Sequence, residues 1–70
     1  MMNLEFKTAS RERYATRTGK EVSIIATDPQ AKKKTYQVTV RMPGMIAETI
    51  AERCTYGEAK RIAREQYYAI

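Results

Sequence analysis

From Thr35 to Met42 the chain reads TYQVTVRM, a strict alternation in which Tyr36, Val38, Val40 and Met42 point one way and Thr35, Gln37, Thr39 and Arg41 the other. A two-residue period of this kind fits only an extended strand with one face buried. That strand needs neighbours, and the flanking sequence supplies them. Upstream, EVSIIATD places Val22, Ile24 and Ala26 on one side and Ser23, Ile25 and Thr27 on the other, after a Thr18-Gly19-Lys20 turn whose glycine can take positive φ. The pattern predicts a hairpin over Arg13 to Thr27. Asp28-Pro29 opens the link to the next strand, because proline fixes φ and aspartate bonds to the following backbone. Leu4 and Phe6, alternating with Glu5 and Lys7, read as an edge strand.

Met42-Pro43-Gly44 ends the sheet, since proline cannot donate to a ladder. The next stretch, MIAETIAERC, fits two periods at once. Ile46, Ile50 and Cys54 recur every fourth residue and also fall on alternate positions, so a fourth strand is the alternative to a short helix. The alanines at 47 and 51 tilt the reading toward helix. Beyond it, Thr55 and Glu58 form a capping box, and Ala59, Ile62, Ala63, Gln66, Tyr67 and Ile70 fall at helical intervals. Lys60, Arg61, Arg64, Glu65 and Tyr68 are expected to face away. The sum is a single α+β domain over residues 1–70: a three- to four-stranded antiparallel meander with a C-terminal amphipathic helix packed on one face.

A chain of this size buries only about 60% of the surface it exposes when unfolded, which leaves no room for a deep substrate cavity. Self-association into a homodimer would bury more. The lone Cys54 cannot form an internal disulfide, the first residues lack an export-signal pattern, and no apolar run is long enough to span a membrane. A cytoplasmic location with no membrane association is the expectation.

Catalytic inventory is thin. Histidine is absent, no acidic cluster approaches metal-ligand spacing, and no glycine-rich phosphate loop is present. Glu48 and Glu52 have no cavity to desolvate one of them, and Cys54 is expected to be a buried structural thiol. The reading is a non-enzymatic protein with no catalytic residue, metal or cofactor.

Charge carries more information. The formal net charge is +5, and all of the excess precedes Pro43, because beyond it Glu48, Glu52, Glu58 and Glu65 balance Arg53, Lys60, Arg61 and Arg64. A lopsided positive field attracts nucleic acid or an acidic protein surface. The candidate contacts are Arg11, Arg13, Arg17, Lys20, the run Lys32, Lys33 and Lys34, and Arg41, expected to form one basic sheet side suited to phosphates. A second group, Lys60, Arg64 and Tyr68, is spaced at four along the helix and combines cations with an aromatic ring.

The segment TYGEAKRIAREQY following a three-stranded meander loosely resembles the strand-strand-strand-helix DNA-binding domains found at the amino end of tyrosine recombinases. The resemblance covers about residues 13 to 70 and rests on Thr55, Glu58, Ala59 and Lys60 at the helix start. It implies DNA binding through the sheet. In size, basic charge and absence of catalytic chemistry the chain is also similar to small phage and mobile-element accessory proteins, including anti-CRISPR inhibitors. That likeness implies an inhibitor that blocks an acidic or nucleic-acid-binding site on a host protein, and it assigns no residue roles.

Overall fold

The computed structural model describes residues 2–28 and 32–69. Pro29 of the expected turn and Ile70 of the expected helical stripe lie outside the described residues. The elements are β1 (Leu4–Lys7), β2 (Arg11–Ala15), β3 (Glu21–Ala26), β4 (Tyr36–Arg41), β5 (Glu48–Cys54) and α1 (Tyr56–Tyr68). The strands form one antiparallel sheet in the order β1-β2-β3-β4-β5, with α1 across β3, β4 and β5. The α+β meander expected from the alternation is present, with a strand added at each edge.

Turn chemistry sets the register. Gly19 donates to the Thr16 carbonyl at 3.1 Å and Thr16 donates to that of Lys20 at 2.9 Å, with Gly19 at φ 91°. This is a three-residue hairpin loop whose last position must be left-handed. A Cβ at Gly19 would also sit 3.1 Å from the Pro43 ring, a tight contact to which the ring must yield by a few tenths of an ångström. In the next tight turn Met45 donates to the Met42 carbonyl at 3.0 Å, with Pro43 and Gly44 between and Gly44 at φ 77°, a type II arrangement.

Pairing of Tyr14 with Val22 and Val22 with Val40, and of Glu12 with Ile24 and Ile24 with Val38, lays two rows across the helix-covered face. Val22, Ile24, Val38 and Val40 are buried there with Tyr14, Cys54, Ala59 and Ala63. The two alanines have no exposed surface, and their small side chains let the helix backbone come close to the sheet. The capping box at Thr55 and Glu58 is formed as the sequence predicts.

The tilt of residues 45–54 toward helix is corrected: Glu48–Cys54 is a strand paired with β4. Helix propensity is a weak prior beside the ladder that the free edge of β4 offers. Ile46 and Ile50, read as sharing a helical stripe with Cys54, are 90% and 41% exposed, whereas Cys54 is buried. The pairing is irregular at two places, and Arg53 takes φ 55°. Bulges of this kind twist an edge strand and discourage further strand addition.

Candidate nucleic-acid interface

Because strand direction alternates, the β1–β2 turn, the β3–β4 loop and the start of α1 share one end of the sheet. The β2–β3 and β4–β5 turns share the other with the end of α1. This polarity sorts the candidate cations. Arg11 and the run Lys32, Lys33 and Lys34 lie at the first end, joined there by Lys7, which the sequence reading left unassigned. All are exposed, and among the described residues none makes an ion pair with a carboxylate. The local backbone is ordered by hydrogen bonds: Thr8 donates to the Arg11 carbonyl at 2.7 Å, and Ala26 to that of Ser10 at 2.8 Å. Thr27 donates to the Thr35 carbonyl at 3.0 Å, closing the base of the lysine loop. From β1 to β4 is three strand spacings, about 14 Å.

Arg13 and Arg41 sit on the sheet face opposite the helix, where their charge is largely met. Arg13 Nε lies 2.8 Å from Glu5 and 3.7 Å from Glu21, and its guanidinium is 5.6 Å from the Phe6 ring centroid. The close contact to Glu5 is an ion pair without the alignment of a hydrogen bond, which leaves this buried N–H unsatisfied. Arg41 pairs with the same Glu21 at 3.2 Å. Glu21 therefore serves both arginines across neighbouring strands.

Arg17 is exposed on the β2–β3 turn, at the opposite end from the lysine run. Lys20, only 9% exposed, lies on the helix side, and its ammonium donates to the carbonyls of Gln66 and, at 3.2 Å, Ala69. The last turn of α1 has no basic residue of its own, so Lys20 supplies the cation that the negative end of the helix favours.

Lys60 does not face away as the helical wheel implied. It bends toward β2, where its Nζ lies 3.4 Å from Glu12 and 2.5 Å from the Tyr14 hydroxyl. Glu12, 6% exposed, accepts hydrogen bonds from Tyr14 at 2.5 Å and from Tyr56. Burial pushes the Glu12 carboxyl up, but the Tyr14 and Tyr56 hydroxyls and the Lys60 ammonium outweigh it, and its pKa is lowered. The Tyr14 hydroxyl is raised by burial and its bond to Glu12; that of Tyr56 is raised by the bond to Glu12 and by burial. Lys60 is raised mainly by its bond to the Tyr14 oxygen, so it stays an ammonium rather than a free amine. Arg64 and Tyr68 remain exposed on the helix and border an open groove of about 460 Å³ with Met2, Tyr14 and Lys60.

The Cys54 thiol is buried and donates to the Glu52 carbonyl at 3.4 Å. Among the described residues no three His, Cys, Asp or Glu side chains converge as metal ligands, and no helix is long and apolar enough to cross a membrane. The chain matches no protein-family model, and neither a curated protein nor a solved structure matches it.

Proposed function

We propose that the chain is a non-enzymatic binding module of the cytoplasm that engages nucleic acid, or the machinery handling it, through the basic end of its sheet. One observation carries this reading: Lys7, Arg11, Lys32, Lys33 and Lys34 are exposed, without ion-pair partners among the described residues, and placed at the same end. Cations so arranged hold a phosphate backbone in position without reading sequence. The test is a titration of the intact chain with DNA and RNA across ionic strength. Salt-sensitive binding to either supports the reading, and no binding at low ionic strength ends it.

A second reading, a phage-type inhibitor that occupies an acidic or nucleic-acid-binding site of a host protein, draws on the opposite end. There Met42, Met45, Ile46 and Ile50 leave apolar side chains exposed around a groove of about 260 Å³. Contiguous apolar surface of this kind suits a protein partner better than a phosphate backbone. A pull-down from nuclease-treated host lysate separates the readings. A stoichiometric protein partner that survives nuclease and is lost on Ile46→Ser favours the inhibitor.

A further inference from the structure

We infer that the groove between the β1–β2 turn and the first turn of α1 receives an unpaired nucleobase, so that the partner is single-stranded rather than duplex nucleic acid. This rests on the reading of the basic end given above and names its ligand more closely. The groove has a volume of about 360 Å³, within the range of about 300–1,000 Å³ that small-molecule sites occupy. One side is the turn carrying Lys7, Thr8, Ser10 and Arg11; the other is built from Tyr36 and Tyr56. Cations beside aromatic rings are the combination by which proteins hold unpaired strands, the cations following the backbone and the rings stacking a base.

The tyrosines are fixed in advance. Their centroids lie 5.3 Å apart in an edge-to-face arrangement at 68°, and the Tyr56 hydroxyl donates to the buried Glu12 carboxylate. Tyr56 nevertheless keeps 39% of its surface exposed. Glu12 also lines the groove, yet it does not make the site hostile to a polyanion. Its oxygens already accept from Tyr14 and Tyr56, and Lys60 offsets its charge. A base therefore rests beside a satisfied carboxylate while its flanking phosphates reach Lys7 and Arg11, with the lysine loop along the path of the strand. A duplex keeps its bases stacked and paired and gains nothing from the rings.

The chain has no tryptophan, so Tyr56→Trp creates a single reporter at the groove. Emission from that variant is expected to be quenched by a short oligothymidylate and unchanged by a duplex of the same length. Tyr56→Leu is expected to bind the labelled oligothymidylate roughly 5- to 100-fold more weakly with little change for the duplex. Tyr56→Phe, which keeps the ring, should stay within a few-fold of the parent. If Tyr56→Leu is unfolded by circular dichroism, the tryptophan reporter alone decides. Equal affinity for single strand and duplex with no quenching overturns the base site while leaving the basic end standing. No binding to either at low ionic strength removes both. Displacement of the oligothymidylate by polyglutamate, with no quenching by the oligonucleotide itself, overturns the inference in favour of an acidic protein.

Discussion

The Lys20 ammonium donates to the Ala69 carbonyl at 3.2 Å and to that of Gln66, so the β2–β3 hairpin closes the far end of α1. Carbonyls at a helix end carry partial negative charge, and a buried cation placed on them contributes up to about 2 kcal/mol. Lys20→Met keeps much of the apolar stem and loses the charge. It is expected to lower unfolding free energy by about 1–2 kcal/mol in urea denaturation. Nucleic-acid affinity should change little, because Lys20 lies at the other end of the sheet from the lysine run.

Glu12 is expected to shape the acid limb of the stability profile. Its carboxyl is lowered from its ordinary value of 4.5 in the folded chain. A depressed carboxyl contributes stability above the unfolded value and loses it as pH falls through the folded one. Lys60 is raised from 10.5, and Tyr14 and Tyr56 from 10.0, so their contributions are present at neutral pH and fade as pH rises through the folded values. Thermal melts should therefore be flat near neutrality and fall at both extremes. Glu12→Gln should flatten the acid limb below about pH 4.5. Tyr14→Phe, which takes one hydrogen bond from each of Glu12 and Lys60, should cost about 1–3 kcal/mol at neutral pH.

These two clusters also mark where the sequence stops being informative. Alternation over Tyr36–Arg41, the β-branched run in β3 and the capping box at Thr55 are local patterns, and each forms as its period demands. Lys20 with Ala69 and Lys60 with Glu12 are partners 49 and 48 residues apart, and no local period encodes such a pairing. Lys60 stands at the margin of the inner stripe, and only the buried carboxylate on β2 decides which way it turns. The spacing of Ile46, Ile50 and Cys54 satisfies two periods, and the open edge of β4 chooses between them. The charge map had the same fate, since the expectation of one basic sheet side could not foresee that Glu5 and Glu21 would meet Arg13 and Arg41.

Arg53 is the non-glycine residue held at positive φ among those described. A left-handed conformation costs an L-residue roughly 1–2 kcal/mol, and a β-branched side chain fares worse than arginine there. Arg53→Gly should leave stability unchanged or raise it by up to about 1 kcal/mol, whereas Arg53→Val should lower it by about 1–2 kcal/mol. Chemical denaturation checks the pair: the midpoint falls for Arg53→Val and holds or rises for Arg53→Gly.

The salt dependence of binding separates the end of the sheet from its open face. Each phosphate contact adds about 0.7 to the slope of log affinity against log salt for a single strand. Changing Lys32, Lys33 and Lys34 to alanine together should therefore reduce the slope by up to about 2. Glu21→Gln removes the carboxylate that Arg13 and Arg41 share, which leaves Arg41 without an ion pair among the described residues while Arg13 keeps Glu5. If the strand runs along the end of the sheet, this substitution leaves the slope unaltered. A steeper slope and tighter binding in Glu21→Gln would instead show phosphates crossing the open face, where Arg41 would meet the backbone of the ligand.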